Sequence, residues 1–350
     1  MKMRIYLFGL LLAAMLPVSF AVYAWEVPDC WKGVAGEALK RAVERDCRPV
    51  ASVSSFAGEN GYWAVVRQSD ISADGQSYLN RFSGDVLRWP PSLTEGPEEM
   101  VLVNVIPWEW WDARSGWQTD VKGDLYNLVP ALPWIEEIKG HYAPGTVTDA
   151  SFDNGYWKSG TGMFGGAVRH LWQPPKGYEG DVARVVFYLF SVYPEGVAAF
   201  GHGGALYGSD DYYPGLSDAA VRQLLVWHRG DPPDDLEKRR NAIYCSHQGN
   251  VNPFVEVPEL AEFLWGDKKG MPFSVSGTMA PEASLKAVYS IEEPRINLRS
   301  EHVPPDARWS VDGAVVSQPF LVPAELGAGV YELRFESAEC RGQILIQIVR

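Results

Sequence analysis

Residues 180–193, GDVARVVFYLFSVY, are apolar on nearly every side of a helix, broken only by Asp181 and Arg184. A helix without a wet face must be surrounded by other elements, so this segment demands a core thick enough to enclose it. The chain has the material for one: of 350 residues, 46% are hydrophobic and 13% aromatic, enough for one large core and a second, smaller one. An arginine inside such a helix needs a carboxylate partner, because removing either charge strands the other.

Other helices are legible around it. Residues 34–46, VAGEALKRAVERD, place apolar side chains at helical spacing. Ser217 reads as the N-cap of a helix whose inward residues are Val221, Leu224 and Leu225. Asp231 before Pro232 repeats the start signal, Asp235–Ser246 follows as a helix, and a short helix runs from Pro258 to Gly266. The Ser- and Gly-rich stretch up to about residue 99 reads as irregular scaffold, with turns at Asp70–Gly75 and Arg88–Pro91. Met100–Ile106 is a β-branched strand, followed by Trp108, Trp110 and Trp111, which are expected to fill core. Beyond Lys268 the pattern changes to short alternating strands at Leu285–Ile291, Ala307–Val311, Val330–Phe335 and Gln343–Val349, with Asp312-Gly313 as a hairpin turn. The expected domains are therefore 25–268, mixed but largely helical, and 269–350, a small all-β sandwich.

The N-terminus reads as an export signal spanning residues 1–24. Lys2 and Arg4 precede an apolar run from Ile5 to Phe20, and Val22-Tyr23-Ala24 offers small residues at the cleavage positions. Pro17 interrupts a run already too short to span a bilayer, so the expected location is periplasmic or secreted, with no membrane partner after cleavage. An oxidising compartment makes Cys30, Cys47, Cys245 and Cys340 disulfide candidates. A helix over 34–46 separates its ends by about 20 Å, whereas disulfide Cα atoms lie within about 7 Å. Cys30 with Cys47 is thus disfavoured, leaving long-range pairs or buried thiols. The net charge of −13 becomes more negative by two when Lys2 and Arg4 are removed, which works against binding a phosphate chain unless a local basic groove exists.

Three separated segments carry the functional argument: DLYNLVP from Asp124, GDVAR from Gly180, and QGN followed by NPF from Gln248 to Phe254. In this order and spacing they resemble the bacterial endonuclease I family, secreted nucleases of the ββα-metal type, over residues 34–266. The resemblance implies an α+β fold, a strand that presents a general-base His beside an acidic metal ligand, and a following helix with an Asn that completes a Mg²⁺ site. Metal and base have complementary tasks there, charge stabilisation and activation of water.

At those positions this chain departs from the pattern. Val103 stands where the acidic ligand belongs and Asn104 where the base belongs. Tyr126 replaces a second His, Glu136 takes the place of the metal-binding Asn, and Lys139 and His141 stand where Arg and Asn are usual. Valine binds no metal, and an Asn amide accepts no proton at neutral pH. Only Glu136 is left to hold a cation. The resemblance therefore implies a binding protein with a degenerate catalytic site, whose partner is DNA or RNA, or a protein. The alternatives are a working nuclease, in which Glu136 holds Mg²⁺ or Mn²⁺ and His141 activates water, and an extracellular structural or adhesive module. Arg184, Arg240 and Asn127 are the substrate-binding candidates, Arg184 being weighed against a structural ion pair. His170, His202, His228 and His247 are read as surface or core histidines. The C-terminal segment, with Arg308-Trp309-Ser310-Val311-Asp312-Gly313, Pro323 and Gly327–Leu333, resembles the immunoglobulin-like tails of some bacterial surface proteins. A protein partner would be expected to dock there.

Overall fold

In the computed structural model the apolar segment forms helix α5 (Glu179–Val192), and every residue from Gly180 to Val192 is buried. The structure describes residues 25–49, 61–72, 75–90, 96, 100–197, 203–274, 288–298, 308–312, 314–318, 320–336 and 341–349. The expected export signal, His202 and Cys340 lie outside them. Two compact units are present, one comprising, among the described residues, 25–28 and 36–268, and the other combining Asp29–Ala35 with the chain from Lys269.

In the first unit α1 (Gly36–Cys47) turns Leu39, Ala42 and Val43 inward and packs on α5. The stretch expected to be irregular contains helix α2 (Tyr62–Asp70) and a hairpin of β1 (Ser77–Leu79) with β2 (Val86–Arg88). Strand β3 (Val101–Asn104) follows, then α3 (Gln118–Gly123), and β4 (Leu128–Ala131) returns antiparallel to β3 with Val103 opposite Val129. Helix α4 (Pro133–Lys139) starts immediately after β4, its proline in the first turn where no N–H is needed. β3, β4 and α4 follow one another as the strand–strand–helix order that the family resemblance implies. A four-stranded sheet comes next, built from β5 (Ala143–Pro144), β6 (Asp149–Asp153), β7 (Lys158–Phe164) and β8 (Ala167–Gln173) in the order β5-β8-β7-β6.

Helices α6 (Gly203–Tyr207), α7 (Asp218–Gly230), α8 (Asp235–Gln248), α9 (Pro253–Glu256) and α10 (Leu260–Leu264) complete the unit. Ser217 caps α7 as expected, its hydroxyl accepting from Ala220 N–H. The cap of α8 is Asp234 rather than Asp231. Asp231 instead closes α7 and accepts from the backbone N–H of Gly180, so it fastens the start of α5. The helix expected from Pro258 begins at Leu260, and α9, capped by Asn252, precedes it. Cys47 at the end of α1 and Cys245 in the last turn of α8 are both buried in this unit.

Residues 29–35 join the second unit because Gly33 N–H donates to Phe273 O, Phe273 N–H donates to Val34 O, and Trp31 packs edge-on against Phe273. That unit contains β9 (Val288–Ser290), β10 (Ile296–Asn297), β11 (Arg308–Val311), β12 (Ala314–Val316), β13 (Phe320–Leu321), a short α11 (Pro323–Leu326), β14 (Gly329–Glu336) and β15 (Arg341–Val349). The hairpin at Asp312 is present, with Val311 paired to Ala314 and Asp312 at φ 46°. Five strands form one sheet in the order β12-β11-β14-β15-β9, and β10 pairs only with β13. Trp309, Val311, Leu333 and Ile348 of the sheet share a core with Ile296 and Leu321 of the short ladder. Among the described residues this is one five-stranded sheet and a two-stranded ladder, with a parallel β15–β9 pair.

Candidate functional site

Positions 103 and 104 lie on β3, positions 136 and 139 on α4 and position 141 just past it, and the side chains there differ from those that the resemblance implies. Val103 is 2% exposed and packed into the core. Asn104 ends β3 with its side-chain amide donating to Lys122 O at 3.1 Å and Asn127 O at 3.4 Å. The group at the base position therefore braces the backbone of the segment between the two strands. Glu136 is exposed on α4. His141, just past the helix, is also exposed, with Nδ1 3.7 Å from Glu109 Oε2. Trp110 donates its indole N–H to the backbone oxygen of His141 at 3.1 Å, fixing that corner.

Among the described residues no group of three His, Cys, Asp or Glu side chains is placed to hold a metal ion. Glu136, Glu109 and His141 thus do not assemble a coordination shell, and valine at 103 supplies no donor. The residues present do not fit the divalent cation that the resemblance implies. What the site does hold is a buried cation of its own. Lys139 is 2% exposed, its ammonium 5.3 Å from the ring centroid of Trp172. Burial pushes its pKa down to about 8, opposed by the carboxylates of Glu136 and Glu109. The resemblance puts Lys139 at an arginine position without revealing its burial beside Trp172 of β8.

The three substrate-binding candidates are occupied with structure. Asn127 is fully buried; its amide oxygen accepts from Ile106 N–H at 2.8 Å, and its nitrogen donates to Ile106 O at 2.9 Å and Val121 O at 3.0 Å. Arg184 is 0% exposed and bonds Glu237 Oε1 at 2.7 Å, Asp231 O at 2.7 Å and Asp181 Oδ1 at 3.1 Å. This is the ion pair weighed against phosphate binding, and no edge of the guanidinium is left for a ligand. Arg240 contacts Asp70 and Asp181, and Arg81 joins them by bonding Asp181 Oδ2 at 2.7 Å. Three arginines and three carboxylates so form one buried network linking α2, α5 and α8. The cavity beside it, of about 30 Å³, has room for water but not for a nucleotide. Burial raises the Asp70 and Asp181 carboxyls, and the facing arginines act against that rise.

Tyr126, at the second His position, is likewise structural. Its hydroxyl donates to Asn250 O at 3.0 Å, and its ring meets Tyr188 and Tyr244 edge-on. The preceding Asp124 caps the turn at Tyr126 and accepts from Tyr188, Tyr193 and Gln248. The motifs that carry the resemblance, Asp124–Pro130, Gly180–Arg184 and Gln248–Phe254, accordingly hold residues that lock the core. Of the histidines set aside, His228 is buried, with Nε2 2.9 Å from Pro258 O, and burial pushes its pKa down to about 4. His170 stacks on Tyr142 at 3.8 Å between centroids, and His247 lies 3.4 Å from Gln68 Oε1.

Part of the chain matches known proteins in sequence. Residues 98–259 match the family model Endonuclease I. The chain is 30% identical over 158 residues to an extracellular ribonuclease of Bacillus subtilis (strain 168), covering 41% of this chain and 46% of that relative. It is 27% identical over 168 residues to an extracellular deoxyribonuclease of Aeromonas hydrophila, covering 44% and 64% respectively. A periplasmic deoxyribonuclease of the same organism is 27% identical over 176 residues, covering 44% and 61%. The chain thus spans about half of the Bacillus relative, and no helix among its described residues is long and apolar enough to cross a membrane.

Proposed function

We propose that this chain, which carries an endonuclease I family domain over residues 98–259, is an exported nucleic-acid-binding protein whose catalytic site is degenerate. The observation that carries the reading is the state of β3. Val103 is buried as a core residue and the Asn104 side-chain nitrogen donates to two backbone carbonyls, which supports a site that lacks its acidic ligand and its base. The relatives bear the names of ribonucleases and deoxyribonucleases, secreted or periplasmic, which supports a single- or double-stranded polynucleotide as partner and export as destination.

A second reading is favoured by one contact. Glu109 Oε2 lies 3.7 Å from His141 Nδ1, within ion-pair but beyond hydrogen-bond distance, so a small closing motion would let the carboxylate orient the imidazole for proton transfer, and Glu136 is exposed on the adjacent helix. In that reading the protein cleaves with His141 as base. The two are separated by assaying binding and cleavage on the same RNA and DNA strands. Salt-dependent binding without product supports the degenerate site, and product that disappears in His141→Ala supports the second reading.

A further inference from the structure

The turn after β3 carries an aromatic ring that the core does not use. Trp110 and Trp111 are buried, and each donates its indole N–H to a backbone oxygen, of His141 and Tyr193 respectively. Trp108, which opens the same turn, is only half-buried, and among the described residues its indole N–H makes no hydrogen bond. Its ring instead faces the ammonium of Lys122, 5.1 Å from the centroid. Lys122 is exposed and has no carboxylate within ion-pair distance among the described residues, in a chain whose net charge is −13. The pair is tied to the candidate site from both sides: Asn104 bonds the backbone oxygen of Lys122, and Trp110 holds the corner at His141.

We propose that Trp108 and Lys122 form a nucleotide subsite for single-stranded nucleic acid, the indole stacking one unpaired base and the ammonium contacting the adjoining phosphate. Every base offers a π-face, so such a platform is tolerant of sequence and requires only that the base be unpaired. Rotation of the flexible lysine stem from the ring to the phosphate keeps the cation beside the stacked base. The subsite rests on the nucleic-acid reading above and gives it a substrate class, unpaired strands, and a place, the Asn104 edge of the strand–strand–helix unit.

The test is fluorescence anisotropy with a labelled oligothymidine and an abasic strand of equal length and charge, on the full mature chain and on Trp108→Ala, Trp108→Phe and Lys122→Met. The wild type is expected to bind oligothymidine more tightly than the abasic strand. Trp108→Ala should lose about tenfold on oligothymidine alone, while Trp108→Phe keeps most of the affinity. Lys122→Met should weaken both strands and lower the salt slope by about 0.7. Far-UV circular dichroism and melting checks that the variants fold, as a half-exposed position permits. The subsite is overturned if Trp108→Ala binds oligothymidine as the wild type does, or loses both strands equally. A wild type that binds neither strand overturns the nucleic-acid reading itself, and the subsite with it.

Discussion

Replacing Arg184 by methionine separates a structural arginine from a phosphate-gripping one. In the structure Arg184 is the partner of both Glu237 oxygens, through Nε to Oε1 at 2.7 Å and Nη2 to Oε2 at 2.6 Å. Asp181 keeps Arg81 and Arg240 when Arg184 is removed, but Glu237 is left buried without a counter-charge. Stranding one member of a buried pair costs about 3–5 kcal/mol. With a urea dependence of about 2–3 kcal/mol per molar for a domain of this size, the unfolding midpoint should fall by about 1–2.5 M. The double variant Arg184→Met/Glu237→Leu removes both charges and should recover most of that loss, since an apolar replacement of a buried pair is close to neutral. Urea unfolding followed by tryptophan fluorescence reads all three proteins. The affinity of the folded single variant for an oligonucleotide should match the wild type. A midpoint shift under about 0.3 M together with a tenfold loss of affinity would refute the structural assignment and return Arg184 to the ligand.

Two further outcomes follow from buried polar groups. His228 has its pKa lowered to about 4 by burial, so below its unfolded value of 6.5 the unfolded chain takes up the proton more readily. Its contribution to stability is complete above pH 6.5 and is lost as pH falls through about 4, by about 3 kcal/mol; the stability difference between wild type and His228→Gln, measured by urea unfolding at pH 7 and pH 4, should shrink or reverse by that amount, and an unchanged difference contradicts it. Asn127→Ala strands the Ile106 N–H and the Ile106 and Val121 oxygens, a cost of about 3 kcal/mol or more; thermal melting should show a large fall, whereas loss of binding without loss of stability contradicts the structural role.

Much of the fold was legible from periodicity and caps. An all-apolar segment such as α5 has one environment open to it, and Ser217 announces α7 with a cap that the hydroxyl makes. The strand–strand–helix order of β3, β4 and α4 was implied by the family resemblance, and of its parts only the strand at Met100–Ile106 was read from the residues themselves. Helix α2 was hidden because nine residues inside a Ser- and Gly-rich stretch show little periodicity, and its burial of Tyr62, Val65 and Val66 depends on partners distant in sequence. Asp231 and Asp234 are both competent caps, and only the contact with Gly180 N–H decides which helix each serves. At the site, the substitutions at 103 and 104 are readable as letters. That Asn104 is spent on backbone carbonyls, that Lys139 is buried over Trp172, and that Trp108 faces Lys122 while its neighbours are core are facts of three-dimensional neighbours.

The most direct test of the degenerate-site account is cleavage by the mature chain from Trp25 onward. Supercoiled plasmid and single-stranded RNA are incubated with it in Mg²⁺ or Mn²⁺, beside an EDTA control and the Glu136→Ala variant. The account predicts that product formation by the wild type does not exceed that of the variant under any of these conditions. Metal-dependent cleavage that EDTA and Glu136→Ala both abolish would contradict it and make Glu136 a working ligand.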